Sequence, residues 1–335
     1  MTDATFRLGL LVVDNCILSS LVGPADMLNV ARILADIRSP GASPSFESLL
    51  FGARGSSRTR CASGLEISHL GDCPKDVHFD AVLVPGIEHR SAGEAVRACS
   101  SLQPEIALLR RLHARGTHVA ATCSGTLLLA STGLLDGRHA TTSWWLADAM
   151  RQKFPAIILD EREMLVEDGP FATTGASTAV YALVSRYIAA VAGDELARQT
   201  QSMMLLDNER QSQAPYVRQA LMEQPRHSLA EKVERVLERE LHRQISVANL
   251  ADHCGTSERS LLRHFRTHYG VGPLARMQHL RVERAKALLE VTHLSFEEIV
   301  ERCGYTDAPS FRKLFKRETS LTPAAYRNRF RLRPR

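Results

Sequence analysis

Three absences narrow what this 335-residue chain can be. No apolar run approaches the roughly 20 residues that a membrane span requires. The apolar stretch 8–13 is too short for the core of a secretion signal and has no basic lead-in, so it reads as a buried strand. There is also no Cys-x-x-Cys pair. Seven cysteines, an odd number, are scattered singly, which argues against a disulfide framework and structural zinc and for a reducing cytoplasm. No cofactor, metal or membrane partner is expected. What remains is an ordinary globular composition, 44% hydrophobic and 24% charged, with enough length for two or three cored domains.

A segment near the C-terminus occurs twice, and internal repetition fixes architecture. Leu250-Ala-Asp-His-Cys254-Gly255 is followed by a second helical run, Gly270 and Pro273. Ile299-Val-Glu-Arg-Cys303-Gly304 is followed by another such run, Ser320 and Pro323. From Phe265 to Pro273 is the same stride as from Phe315 to Pro323. Between turn and anchor, however, the second copy is one residue longer. Each copy reads as a helix-turn-helix, over about 247–268 and 296–319. Charge follows the same division: residues 226–335 hold 22 basic and 13 acidic residues, the remainder 20 and 24. A basic part beside an acidic part suggests that one meets a polyanion, and its bias to Arg suits forked contacts to phosphate and guanine.

Helical spacing sets the expected faces of the two recognition helices. Leu261, Leu262 and Phe265 should pack inward, leaving Glu258, Arg259, Arg263, His264 and Thr267 outside. Phe311, Leu314 and Phe315 should pack inward, leaving Ala308, Ser310, Arg312, Lys313 and Lys316 outside. Ser257 and Asp307 are the expected N-caps. The expected DNA-contacting set is Ser257, Arg259, Arg263, His264, Ser310, Arg312, Lys313 and Lys316. Arg259, Arg263 and Arg312 would read bases; Lys313, Lys316 and Arg317 would grip phosphate. Aligned on the Cys-Gly turns, Lys313 and Lys316 stand where copy one has His264 and Thr267. Copy one is thus expected to carry more of the sequence reading and copy two more of the backbone grip.

In the first two-thirds, strand-like runs at 7–13, 46–52, 79–84 and 117–122 alternate with helical runs at 22–37, 105–115, 124–132 and 177–192. Short strands at 164–166 and 171–173 flank Asp168-Gly169. Such alternation implies a mostly parallel sheet covered by helices on both faces, with ligand sites beyond the strands' carboxyl ends. Pro85-Gly86 and Cys123 lie at such ends. The polar, proline-marked stretch after residue 205 reads as a connector.

Val119-Ala-Ala-Thr-Cys123-Ser-Gly-Thr-Leu is strand, sharp turn, helix, with a thiol at the turn, as in a nucleophile elbow. A helix N-terminus favours thiolate. This segment, with Gly133-Leu-Leu-Asp-Gly-Arg-His-Ala-Thr-Thr142, Gly23-Pro24, Pro85-Gly86 and Arg210…Gln213-Ala-Pro215, resembles the DJ-1/PfpI (class I glutamine amidotransferase-like) family over residues 5–200. Residues 232–331 resemble the DNA-binding domain of the AraC/XylS family, most specifically from Gly304-Tyr-Thr-Asp-Ala-Pro-Ser-Phe311 to Pro323-Ala-Ala-Tyr326-Arg327. Ser320 stands where that family usually has Gly.

The resemblances imply an α/β chain: a flavodoxin-like parallel sheet sandwiched by helices, then an all-α domain of two helix-turn-helix units. The expected boundaries are a ligand-sensing domain at 5–205, a linker at 206–230 and a DNA-binding domain at 231–331. Proteolytic relatives carry His after the elbow cysteine; here Ser124 follows. Ser143 stands where many relatives have His, and 18–24 lacks the acid that enzymes of the family place there. His89 and His118 are the candidate bases. No catalysis is expected; if any group catalysed, it would be Cys123, in a hydrolase or hydratase. A third reading makes Cys123 an oxidation sensor. The favoured reading is a retained binding pocket of Asp14, Asp26, Gly86, Cys123, Ser124, Ser143 and Trp144. Aromatic faces attract quaternary ammonium groups, and similar regulators sense amino acids, betaines and carnitine. The chain is therefore read as a cytoplasmic transcription regulator, an activator. Its expected partners are promoter duplex DNA, a small-molecule effector, RNA polymerase and a second copy of itself.

Overall fold

A computed structural model describes residues 5–38, 45–207, 211–218, 228–241, 246–268 and 271–331. The chain divides into two compact units at Gln213/Ala214, inside the stretch 206–230. Arg210, Gly270 and the side chain of Thr267 lie outside the described residues.

The first unit contains β1 (Thr5–Leu11), α1 (Ser19–Arg38), β2 (Ser45–Gly52), β3 (Arg58–Arg60), β4 (Glu66–Ser68), β5 (Leu70–Asp72), β6 (Ala81–Val84), α2 (Ala92–Ser101), α3 (Gln103–Ala114), β7 (His118–Thr122), α4 (Gly125–Ala130), β8 (His139–Ala140), α5 (Ala147–Lys153), β9 (Ile158–Leu159), β10 (Leu165–Asp168), β11 (Phe171–Thr174), α6 (Val180–Ala192) and α7 (Asp194–Met203). Seven strands form one sheet in the order β10-β11-β7-β6-β1-β2-β5. All pairings are parallel except the β10–β11 hairpin. Central strands are buried on both faces, which is why β6 (Ala-Val-Leu-Val) is apolar throughout and does not alternate. Leu10, Val82, Val84, Val119 and Leu127, each 0% exposed, belong to a single core cluster. Arg54 reaches the buried Glu105 on α3 with two bonds, at 2.6 and 3.0 Å.

The second unit is helical: α8 (Ser228–Arg239), α9 (Val247–Cys254), α10 (Glu258–His268), α11 (Pro273–Val291), α12 (Phe296–Arg302), α13 (Ala308–Thr319) and α14 (Pro323–Phe330). It has two cores. One joins Val233, Leu250, Leu261 and Phe265; the other joins Ile299, Phe311, Phe315 and Tyr326. The long helix α11 supplies Met277 to the first core, and Val282, Ala285 and Leu289 to the second. One helix thus holds both helix-turn-helix lobes. Among the described residues no helix is long and apolar enough to cross a membrane.

Candidate functional site

The elbow forms because β7 ends where the chain must turn at once into α4. Cys123 takes a left-handed backbone, φ +56°, a conformation non-glycine residues rarely occupy and that surrounding bonds must hold. Its N–H donates to the Thr174 carbonyl at 3.0 Å. Gly125 permits the turn: a Cβ there would stand 2.7 Å from the Val84 carbonyl oxygen. Gly86 lies across the thiol, where a Cβ would meet the Cys123 Cβ at 3.3 Å.

Hydroxyls surround the thiol. Ser143 Oγ lies 3.0 Å from Cys123 Sγ and 3.1 Å from the Gly175 carbonyl, so its single proton serves one or the other. Thr142 Oγ1 donates to the Cys123 carbonyl at 2.9 Å. Ser124 Oγ accepts from Ile87 N at 2.7 Å and donates to the Ile87 carbonyl at 2.9 Å. Thr122, Thr126 and Thr174 are buried nearby in sequence and register, with hydroxyls unbonded among the described residues.

The thiol is closed off. Cys123 is 2% exposed, and Ser124 and Ser143 are fully buried. Burial pushes the Cys123 thiol up, outweighing the Ser143 and Ser124 hydrogen bonds that favour thiolate. The thiolate expected from helix polarity is therefore not what this site favours, since α4 is only six residues long. Neither candidate base stands ready among the described residues. His89 Nδ1 lies 2.9 Å from the Ile87 carbonyl and its Nε2 3.2 Å from the indole Nε1 of Trp145. An indole N–H only donates, so these partners assign the proton to Nδ1 and occupy both ring nitrogens. His118 is exposed at the opposite end of β7, about 13 Å of strand from the turn.

Of the expected pocket residues, Gly86, Cys123, Ser124, Ser143 and Trp144 come together, all buried. Asp14 and Asp26 do not join them. Both are exposed, and the field of Asp14 acts on Arg54 and His69. Trp144 packs edge-on against Trp145, with centroids 5.3 Å apart, and is only 9% exposed, so it fills the core behind the elbow. The residue missed from sequence is Gln213. It is 3% exposed and accepts from Trp144 N at 3.2 Å while donating to the Thr142 carbonyl at 2.7 Å. Its signal was the Gln213-Ala-Pro215 motif, which carried the DJ-1/PfpI resemblance but was given no place in the site. A separate cleft of about 520 Å³ opens between β10, α6 and the end of α7, bordered by Glu163, Glu167, Tyr181, Gln201 and Asp207.

In the second unit both turns close on left-handed glycines, Gly255 (φ 65°) and Gly304 (φ 75°). Ser257 caps α10 through Ser260 N at 3.2 Å, and Asp307 caps α13 through Ser310 N at 3.0 Å. Both recognition helices thus start 50 residues apart, although their turns are 49 apart. The added residue lies in the loop before Asp307. Two corrections follow. The buried residues of α10 are Leu261, His264 (8% exposed) and Phe265, while Leu262 is 41% exposed. Three- and four-residue steps from Leu261 reach 264 and 265, not 262. His264 is therefore the counterpart of Leu314 and faces the core. Lys313 and Lys316 in turn correspond to Arg263 and Arg266, so the expected contrast in charge between the copies disappears.

Ser257, Arg259, Arg263, Ser310, Arg312, Lys313 and Lys316 are exposed. Among the described residues the side chains of Arg259, Arg263, Lys313 and Lys316 make no hydrogen bond or ion pair. Arg312 is drawn back: its guanidinium lies 5.0 Å from the Phe296 ring centroid and 3.7 Å from Glu297. Arg317, expected on phosphate, is tethered to Glu318 at 2.9 Å and Gln278 at 3.3 Å. Arg266, not singled out from sequence, is exposed. Ser320, standing where the AraC/XylS family usually has Gly, adopts a left-handed conformation (φ 59°) at the end of α13.

Comparison with known proteins agrees with this geometry. The DJ-1/PfpI family matches residues 9–190, and a helix-turn-helix domain matches residues 250–329. The HTH-type transcriptional regulator GlxA of Rhizobium meliloti (strain 1021) is 30% identical over 329 residues, 96% of each chain. The HTH-type transcriptional regulator GbdR of Pseudomonas aeruginosa (strain UCBPP-PA14) is 25% identical over 320 residues, 94% of this chain and 82% of that one. A solved structure from Vibrio parahaemolyticus covers 60% of this chain and 99% of its own, at 14% identity and a TM-score of 0.51, a likeness of fold. The chain belongs to the HTH-type transcriptional regulators that join an N-terminal DJ-1/PfpI domain to a C-terminal AraC-type helix-turn-helix domain.

Proposed function

We propose that this regulator activates transcription in the cytoplasm, as a homodimer that recruits RNA polymerase to a promoter, under control of a small amino-acid or quaternary-amine metabolite. The observation that carries the DNA-reading half is the pair of capped recognition helices, each presenting exposed cations, unpaired among the described residues, at matched positions: Arg263 with Lys313, Arg266 with Lys316. Arg259 and Arg263 read bases, Arg312 does so once released from Glu297, and Lys313 and Lys316 hold phosphate.

The first unit acts as a sensor without catalysis. A buried, protonated thiol with no available base among the described residues supports that reading, because cysteine chemistry needs a thiolate and a partner to hold its proton. The closed elbow leaves little room for a metabolite. The cleft beside Glu163 has that room, and its carboxylates and Tyr181 suit an amine.

Selection of bound duplexes from a random pool, with and without a panel of amino acids and betaines, tests the whole reading. A recovered consensus whose affinity shifts with one metabolite supports it; no enrichment over input refutes DNA reading. In the same assay Cys123→Ala should leave both consensus and response intact. Loss of response would favour Cys123 chemistry, hydrolytic or oxidative.

A further inference from the structure

Residues 211–218 run through the division between the two units, and each half is fastened within its own unit by buried or charged bonds. In the first unit, Gln213 is held at five points. Its backbone N–H donates to the Arg162 carbonyl at 2.9 Å. Its side-chain oxygen accepts from Trp144 N at 3.2 Å. Its amide nitrogen reaches the Thr142 carbonyl at 2.7 Å, the Glu163 carbonyl at 3.1 Å and Thr141 Oγ1 at 3.2 Å. The fit is close: a Cβ on Gly175 would stand 2.8 Å from Gln213 Oε1. Before it, Ser212 Oγ donates to the Arg162 carbonyl and Met164 N to the Gln211 carbonyl. The residues so gripped lead directly to the elbow, because Thr142 also holds the Cys123 carbonyl and Ser143 its thiol.

Three residues later the chain is fastened inside the second unit. Tyr216 packs edge-on against Phe330, with centroids 5.3 Å apart. The Val217 carbonyl accepts from Lys286, an ammonium only 1% exposed at its side chain. Arg218 bonds Glu290 at 2.6 Å, and the same carboxylate oxygen accepts from Tyr326 at 2.7 Å. Tyr326, fully buried, stacks edge-on against Phe315 of the second recognition helix at 5.4 Å. Lys286 and Glu290 lie on α11, the helix shared by both lobes.

We propose that residues 211–218 form a coupling strap, through which a change of packing at the elbow, read at Thr142 and Gln213, is transmitted to α11 and the second recognition helix. The inference rests on the DNA-reading function above. The chemistry explains why a connector here is not a slack tether. A side-chain amide whose oxygen accepts one bond and whose two N–H protons are shared among three acceptors has few other places to go, because each unmade bond leaves a buried polar group unsatisfied. A buried ammonium likewise depends on its acceptors, and the Val217 carbonyl is one of them. Only Ala214 and Pro215 lie between the fastenings, and Pro fixes its own φ, so little loose chain stands between Gln213 and Tyr216. Coupling requires two arrangements that both ends bias, and these contacts name what each arrangement must make or break.

The experiment uses the full chain and duplexes selected by the wild-type protein. A six-residue Gly-Ser insertion between Gln213 and Ala214 leaves both sets of fastenings in place while cutting the link. Gln213→Ala and Arg218→Ala each release one end. The insertion is expected to change the Kd for the selected duplex about fivefold or more. The double variant Gln213→Ala/Arg218→Ala should go no further than its stronger single, since either release already breaks the link. Thermal melting of the insertion variant should match wild type, which separates lost coupling from lost folding. An insertion variant that melts like wild type and binds within twofold of it overturns the strap. If the wild-type protein selects no duplex, the function above fails, and the strap is decided by amide hydrogen exchange. The insertion should then change protection in α11 and α14, and unchanged protection there overturns it.

Discussion

Arg263 and Arg312 are both arginines on recognition helices, yet the structure separates what their removal should cost. Arg263 is exposed and unpaired among the described residues, so a base contact would be gained without breaking any bond within the chain. A forked Arg–guanine contact discriminates by about 1–3 kcal/mol, and Arg263→Ala should cost that much on the preferred duplex, roughly 5- to 150-fold in Kd. Arg312 begins elsewhere. Its guanidinium lies 5.0 Å from the Phe296 ring centroid and 3.7 Å from Glu297. An exposed cation–π contact is worth about 0.5–1 kcal/mol, and an exposed ion pair about 0.2–1 kcal/mol. Both must be surrendered before a base is reached, which offsets about 1–2 kcal/mol of any gain. Arg312→Ala should therefore cost about 0–2 kcal/mol, less than Arg263→Ala. Glu297→Gln, which releases Arg312 and removes a negative charge beside the helix, should tighten binding. The assay is a Kd for each variant at one fixed salt concentration, on the selected duplex and on single-base-pair variants of it. Arg263→Ala should flatten preference at one base pair. A uniform loss over all duplexes, with a salt slope shallower by about one, would make Arg263 a phosphate contact. A larger loss from Arg312→Ala than from Arg263→Ala would refute the reasoning from paired and unpaired arginines.

Three further outcomes are expected. Ser320→Gly should stabilise the second unit by about 0.5–1 kcal/mol, because Ser320 holds a left-handed backbone that glycine adopts without strain; urea denaturation checks this, and a lowered midpoint contradicts it. Arg54→Ala should destabilise the first unit by about 2–4 kcal/mol by leaving the Glu105 carboxylate, 2% exposed at its side chain, without its cation. The double variant with Glu105→Gln should recover part of that in calorimetry, and equal losses in the two variants would rule out the charge as the cause. The Asp307 carboxyl is held below its usual range by the Ser310 hydrogen bonds that cap α13. Its contribution is present above the ordinary aspartate pKa, about 3.9, and is lost as pH falls through the lowered value. Helix content near pH 3 should accordingly fall less steeply with pH in Asp307→Asn than in wild type.

The sheet was legible because its central strands are buried on both faces and read as unbroken apolar runs: 79–84 announces β6, and 117–122 announces β7. The hairpin was legible from its Asp168-Gly169 turn, although its edge strand β10 is half-exposed. Edge elements such as β5 and the β3–β4 pair were not, because they are three residues long and half-exposed and carry no pattern. The duplication was visible, but its register was not. The Cys-Gly turns are the visible landmark, yet helices are registered by their caps and core anchors. The residue added before Asp307 lies in the loop, where an insertion costs little. That one-residue slip gave Lys313 and Lys316 the wrong counterparts, while His264 was assigned to solvent by a separate step, the choice of Leu262 as an inward residue.

The elbow shows a different limit. Its residue types were readable: small residues at a turn, a thiol, hydroxyls where relatives carry His. From these, helix polarity favours a thiolate, and burial favours a thiol. A sequence displays the first influence, because a short helix visibly follows the cysteine. It hides the second, because burial depends on what distant segments bring to the site: Gly86, Ser143 and Gln213 lie between 20 and 90 residues away along the chain. In a closed site the removal of water outweighs a six-residue helix, and the Cys123 thiol moves up. The same closure bears on sensing. Where hydroxyls already occupy the hydrogen-bonding positions around the sulfur, a change at the elbow must come as a rearrangement of Thr142, Ser143 and Trp144. The side chain bonded to the backbone of both Thr142 and Trp144 is Gln213.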